Sequence, residues 1–132
     1  MSWKIRHVLI CGTVNDLAVG GAEPLYLSCS LIIEEGFPIS QLRTIIQAMQ
    51  DTAQRAGVSI VTGDTKVVHR GAVDKLFINT AGIGVIKEDI DIAASNAQAG
   101  DKVIINGFIG DHGAAIVDAR GELSLDAQVD SD

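Results

Sequence analysis

The alternating pattern of residues 24–33 restricts the fold more than any other feature of the chain. The two alternating sets are Leu25, Leu27, Cys29, Leu31 and Ile33 on one face and Tyr26, Ser28, Ser30 and Ile32 on the other. A period of two residues is typical of a β-strand with one buried face. The fold must therefore contain a sheet that accepts this segment.

Two further segments have the pattern of strands. Residues 58–68 predict a strand that contains an acidic motif, and residues 75–87 predict a longer strand. The longer strand would have Leu76, Ile78 and Thr80 on one face and Phe77, Asn79, Ala81, Ile83 and Val85 on the other. Glycines at positions 82 and 84 indicate a bend or a close approach of another part of the chain.

Helices are predicted before and between these strands. Residues 4–20 have a broad apolar face and end at two glycines, which is a helix stop signal. Ser40 is the candidate N-cap of a second helix that runs through Ala56, and Gly57 is placed to end it. The element order predicts an α+β fold in which a mixed or antiparallel sheet has helices on one face.

The C-terminal third predicts a linker followed by the start of another unit. Residues 88–100 are acidic and rich in alanine, Lys102 to Asn106 predict a short strand, and a helix is expected from about Ile109 to Arg120. The final residues, Asp126 to Asp132, are polar and expected to fray.

Length and charge set outer limits on organisation and partners. A chain of 132 residues favours one domain. We divide it into a partial N-terminal domain over residues 1–95 and, over residues 96–132, a linker with the first β-α unit of an incomplete C-terminal domain. The net charge of −7 argues against binding to bulk nucleic acid or to an anionic membrane.

No apolar run is long enough to cross a bilayer. Cys11 and Cys29 lie in apolar surroundings and are interpreted as small buried side chains. Two such cysteines fit a cytoplasmic setting.

Two acidic motifs carry the clearest chemical signal. Residues 14–18 read Val-Asn-Asp-Leu-Ala, and residues 62–66 read Thr-Gly-Asp-Thr-Lys. A carboxylate beside an amide or hydroxyl suits Mg²⁺, which takes oxygen ligands and shares them with phosphates. Asp16 lies near the end of a helix, where the helix dipole disfavours a carboxylate; the alternative is a surface or capping role. Asp64 has the alternative of an ordinary strand-end turn.

A third string, Gly110-Asp111-His112-Gly113, opens the last predicted helix. A helix N-terminus with small residues can receive an anion, and His112 could shuttle a proton. An N-cap role for Asp111 explains the same residues. We find no nucleophile paired with a base and no Cys/His metal cluster, so no catalytic residue is assigned.

The motifs together carry a family resemblance. Residues 12–27 resemble the N-terminal domain of the ATP-dependent superfamily of aminoimidazole ribonucleotide synthase. Residues 31–38, 61–68 and 76–84 are similar to the HypE family of hydrogenase maturation factors, and residues 110–113 extend the match. The resemblance covers about residues 11–122.

The resemblance implies a nucleotide site at a dimer interface. Members bind ATP and Mg²⁺ in a groove formed where two N-terminal domains pair into a closed, barrel-like dimer. It implies that Asp16 and Asp64 hold the metal. Asn15, Thr65 and Lys66 are adjacent candidates for contacting the nucleotide.

It also implies an activity and partners. The family converts a thiocarboxamide on a C-terminal cysteine into a thiocyanate, at the expense of ATP, for the cyanide ligands of nickel–iron hydrogenase. Its partners are the carbamoyl transferase and the iron–cyanide scaffold complex. This chain departs from the pattern at both ends, because the glycine-rich start and the terminal cysteine are not found in it. We therefore expect that it does not complete the reaction alone.

Two other interpretations remain. One is another enzyme of the superfamily, such as a selenophosphate synthetase, a thiamine-phosphate kinase or a purine-pathway ligase. The other is a non-enzymatic dimerising module in which the strand over residues 24–33 pairs with its own copy.

Overall fold

The computed structural model describes residues 4–105 and 107–120. The helices and strands, in chain order, are α1 Lys4–Val19, β1 Ala22–Glu34, α2 Ile39–Arg55, β2 Ser59–Val68, β3 Leu76–Ile86 and α3 Asp111–Arg120, with a short 3₁₀ turn at Ala94–Asn96. The predicted order of the first five elements is confirmed. None of the helices in the described part is long and apolar enough to span a membrane.

The three strands form one mixed sheet in the order β2-β1-β3. β1 and β2 are parallel, because α2 carries the chain back over the sheet between them. β3 pairs antiparallel with the other edge of β1. The expected α+β fold with a mixed sheet is therefore confirmed.

The core lies between the sheet and the two helices α1 and α2. Its buried side chains are Ile10, Leu27, Ile45, Met49, Ala53 and Val58. β1 contributes Leu27 and Ile33 to the buried side, whereas Tyr26 and Ile32 remain 47% and 37% exposed. The helices thus cover one face of the sheet, and we call the opposite face, which carries Tyr26 and Ile32, the open face.

The position of β1 overturns one prediction. β1 is the central strand, so both of its edges are already paired and its leucine-rich face is under the helices. The prediction that residues 24–33 pair with a second copy of themselves is therefore wrong. Among the described strands, β2 and β3 have the free edges.

The start of α2 differs from the prediction, and its end does not. Pro38 is the N-cap, in an extended conformation and without a side-chain capping bond, and its carbonyl accepts from the N–H groups of Gln41 and Leu42. Ser40 lies in the first turn, so the prediction that it is the N-cap is wrong. Proline suits the position because it presets φ and loses no hydrogen bond there. Gly57 follows the helix at φ +71°, which glycine adopts without strain.

The predicted strand at Lys102 to Asn106 is also wrong where the structure describes it. Residues 102–105 are irregular, and Val103 and Ile104 are 95% and 87% exposed. An apolar strand needs a neighbour to pair with, and α3, which follows, contacts none of the other described helices and strands. Asn106 and residues 126–132 lie outside the described residues.

Candidate functional site

The first acidic motif lies in α1, whose inner side contacts β3. Thr13 Oγ1 and Thr80 Oγ1 are 2.7 Å apart and share a hydrogen bond. Leu17, one turn further on, lies over Gly82, where an added Cβ would be 2.8 Å from its Cδ1. Asn15 and Asp16 are exposed. The helix therefore turns Thr13 and Leu17 towards the sheet and leaves the candidate ligands accessible.

The second acidic motif lies in β2, an edge strand whose residues 62–66 are all exposed. The Asp64 Oδ1 accepts a hydrogen bond of 2.8 Å from the Thr65 N–H. Asp64 and Lys66 are paired with Ser30 and Ile32 of β1, which places them on the open face, whereas Thr65 is paired with Leu31. The three candidates of this motif therefore do not share one face of the sheet.

Gly63 has a structural role beside Asp64. A Cβ at this position would overlap the carbonyl oxygen of Cys29 in β1. The close approach follows an irregularity in the β1–β2 pairing, where Leu27 and Ser28 are opposite Ile60 and Thr62 and leave Val61 unpaired. The small residue next to Asp64, interpreted from sequence as room for a ligand, is thus required by the neighbouring strand.

Two residues that sequence reasoning did not single out lie in line with Asp64. Ser30 is paired with Asp64 on one side and with Asn79 of β3 on the other. Neighbouring strands are about 4.8 Å apart, so the three side chains form a polar row across the open face. Alternation alone assigned Ser30 and Asn79 to a face, but only the strand register reveals that they are neighbours of Asp64.

The structure does not bring Asp16 and Asp64 together within one chain. Across residues 4–105, α1 packs against β1, β3 and α2 and does not contact β2. β1 separates β2 from β3, and Asp64 faces away from the helices. Within a single copy of the chain, the two acidic motifs are therefore separate.

The donor set fits Mg²⁺ that is shared with a nucleotide. The described residues contain no group of three or more His, Cys, Asp or Glu side chains that could hold a metal by themselves. Mg²⁺ keeps several waters and is commonly held by one or two carboxylates together with substrate phosphates. Asp16 and Asp64 are of the right chemical type for such a shared site, although not for a cage made by this chain alone.

The string 110–113 is separate from both motifs. Asp111 begins α3 and is half-buried, and His112 is exposed. α3 contacts neither α1 nor β2 among the described elements. The structure therefore does not join this string to either carboxylate.

A groove of about 800 Å³ lies between α2 and β2 and contains neither candidate carboxylate. Its apolar lining includes Cys29, Met49 and Ile60. Burial raises the pKa of the Cys29 thiol above its ordinary value of 9.0, which keeps the thiol protonated and poorly reactive near neutral pH. Both cysteines are free and half-buried, so the prediction that they are small buried side chains is correct only in part.

The fold and the sequence place the chain in a known class. Residues 3–86, which contain everything from α1 to β3, match the family described as AIR synthase related protein, N-terminal domain. The match covers more than half of the chain, and the chain therefore belongs to this family.

Within that class the similarity is to HypE proteins. The chain is 54% identical over 129 residues to the carbamoyl dehydratase HypE of Escherichia coli K12, which covers 98% of this chain and 38% of the relative. A crystal structure of a HypE–HypF complex superposes with a TM-score of 0.91 at 52% identity, over 97% of this chain and 42% of that chain. A structure of HypE in complex with ATP gives 0.88 at 48% identity, over 95% and 37%.

The chain thus spans about two fifths of the length of these relatives.

One rival interpretation, a thiamine-phosphate kinase, receives less support. A structure of ThiL complexed with AMPPCP and TMP has a TM-score of 0.66 over 95% of this chain and 38% of that chain but only 17% identity, so it shares the fold alone.

Proposed function

We propose that this chain forms the nucleotide-binding and dimerising part of an ATP-dependent carbamoyl dehydratase of the HypE type. Identity of 54% to the E. coli relative supports this over the other enzymes of the superfamily. The reaction is the conversion of a cysteine thiocarboxamide to a thiocyanate in hydrogenase maturation. Cys11 lies in α1 and Cys29 in β1, so neither is suited to carry the thiocarboxamide, and this chain's own part is to bind the nucleotide.

The observation that carries the proposal is the separation of the two acidic motifs. Asp16 and Asp64 have the chemistry of Mg²⁺ ligands but lie on elements that do not meet within a chain. A second chain that brings its β2 towards the first chain's α1 would complete a site with one carboxylate from each. When bound, Mg²⁺ would neutralise phosphate charge, while Lys66, Asn15 and Thr65 would contact the nucleotide.

The open face supports such pairing. Tyr26, Phe77 and Ile83 are 47%, 52% and 65% exposed there, and no described helix covers them. A sheet of three strands is too small to close on itself, because barrels need more strands. Two copies that pair along the uncharged edge of β3, with their open faces turned inwards, would bury the apolar residues.

A lysine on the open face should therefore prevent dimerisation. We expect Ile83→Lys to shift the chain from dimer to monomer, because a charge would be buried without a partner. Ile39→Lys is the matched control, since Ile39 is 63% exposed at the start of α2, away from the open face. Sedimentation and light scattering measure the outcome. A dimer that tolerates Ile83→Lys as well as Ile39→Lys would contradict pairing through this face.

Mg-ATP binding tests the assignment of the carboxylates. We expect Asp16→Asn and Asp64→Asn each to weaken binding by about 30-fold, because each removes the charge of a metal ligand. Asparagine keeps the oxygen that accepts from the Thr65 N–H, so Asp64→Asn preserves the local structure.

Calorimetric titration of each variant with Mg-ATP gives these affinities. Asp51→Asn is the control, since Asp51 is an exposed carboxylate on α2 that bonds only locally to Gln47 in the contacts described. Equal affinities for all three variants would show that the acidic motifs do not hold the metal–nucleotide complex.

The partners in this proposal are other maturation factors. A relative whose structure superposes with a TM-score of 0.91 was crystallised with HypF, which supports contact with a protein of that type. We extend this to the carbamoyl transferase, which would load the carbamoyl group onto the cysteine, and to the iron–cyanide scaffold complex, which would receive the cyanide.

A further inference from the structure

The hydrogen bond between Thr13 of α1 and Thr80 of β3 lies three residues along α1 from Asp16. Among the positions of α1 whose burial the structure describes, 10, 11, 13, 14 and 17 are buried or half-buried, and they form one stripe at helical spacing. Apolar residues also lie outside the stripe, and Val19 is 73% exposed. Hydrophobic burial therefore does not by itself select this rotation of the helix about its axis.

Thr13 is the polar residue inside the stripe. A hydroxyl that is partly withdrawn from water is costly unless it is hydrogen-bonded, and Thr80 of β3 supplies the bond to the half-buried Thr13 at 2.7 Å. The close contact of α1 with Gly82 favours the same rotation of the helix about its axis. An added Cβ there would be 3.0 Å from Thr13 Cγ2 and 2.8 Å from Leu17 Cδ1, so α1 sits in a notch that a larger residue would fill.

Asp16 follows Thr13 by three residues, about 60° around the helix. Turning α1 by one residue position, about 100°, would move the Asp16 carboxylate by about 8 Å, since a helix with its side chains is about 10–12 Å across. Asp16 therefore stays at the edge of the α1–β3 contact only while Thr13 faces Thr80.

We propose that Thr13 and Thr80 are positioning residues that hold Asp16 in the orientation required for the metal–nucleotide complex. The proposal rests on the proposed function, because it assigns Asp16 a ligand. It predicts that the hydroxyl of Thr80 matters for Mg-ATP affinity although Thr80 does not touch the nucleotide.

The test compares Thr80→Val with Thr80→Ser. Valine has the shape of threonine without the hydroxyl, and we expect it to weaken Mg-ATP binding by about tenfold, as loss of a supporting bond does at metal sites. Serine keeps the hydroxyl and should restore the affinity of the unmodified chain. Thr44→Val is the control, because it removes a hydroxyl that bonds to the Ser40 carbonyl on exposed α2.

The Asp16→Asn background separates positioning from general stability. If Thr80 acts through Asp16, Thr80→Val should cause no further loss of affinity when Asp16 is already asparagine. Independent losses that multiply, or normal binding by Thr80→Val, would overturn the proposal. If the unmodified chain binds no Mg-ATP, the proposed function fails and this inference fails with it. That outcome can be told from a failure of the inference alone, because none of the variants would then bind Mg-ATP either.

Discussion

Gly63→Ala should separate β2 from the rest of the sheet. The added methyl group would overlap the carbonyl oxygen of Cys29, which is backbone of the central strand and has no rotamer by which to move away. We expect the free energy of unfolding to fall by about 3 kcal/mol or more, at or above the upper end for overpacked sites. Urea unfolding measures the loss, and amide hydrogen exchange of residues 62–68 locates it.

The matched control is Gly12→Ala in α1. An added Cβ at Gly12 has no atom within 4 Å, and alanine favours a helix interior by up to about 1 kcal/mol over glycine. The same chemical change should therefore stabilise one element and disrupt the other. Unchanged stability and unchanged exchange in Gly63→Ala would contradict the close approach of β1 and β2 in solution.

Gly63 also illustrates what the sequence could and could not predict. Local strand patterns predicted all three strands of the sheet, with a period of two residues in β1 and β3, and helical spacing with glycine stops predicted α1 and α2. The role of Gly63 depends on which strand lies next to β2 and in what register. Neither is encoded in the Thr-Gly-Asp-Thr-Lys string itself.

Errors in the prediction have the same origin. The strand over residues 24–33 has a strongly apolar face, which suggested a partner outside the chain, but α2 and α1 supply that partner. Residues 102–105 have a strand-like composition, yet no described strand pairs with them. A pattern reveals that a face needs covering; it does not reveal what covers it.

The candidate site follows this rule as well. Sequence reasoning found Asp16 and Asp64 because small and polar neighbours mark them, and the structure leaves both accessible. It could not find that they lie on elements without mutual contact, which is a property of the strand order β2-β1-β3. That order is the reason for proposing a site shared between chains.

Mixing the Asp16→Asn and Asp64→Asn variants should restore tight Mg-ATP binding at a fraction of the sites. If one Asp16 and one Asp64 from different chains form each site, a dimer of the Asp16→Asn chain with the Asp64→Asn chain contains one intact site and one site with neither carboxylate. Random pairing makes half of the dimers mixed, so about one quarter of all sites recover in a two-fold symmetric assembly.

The recovered sites should have the affinity of the unmodified chain, because they contain both native carboxylates. The measurement is the stoichiometry in a titration after co-expression of the two variants with different tags, compared with each variant alone. Adding Ile83→Lys to both chains supplies the control, since the variants could then no longer pair. A mixture that binds no better than its components would indicate that each site is formed within a single chain, and would reject the shared site. The separate titrations of the two variants would still test whether the carboxylates contribute to nucleotide binding.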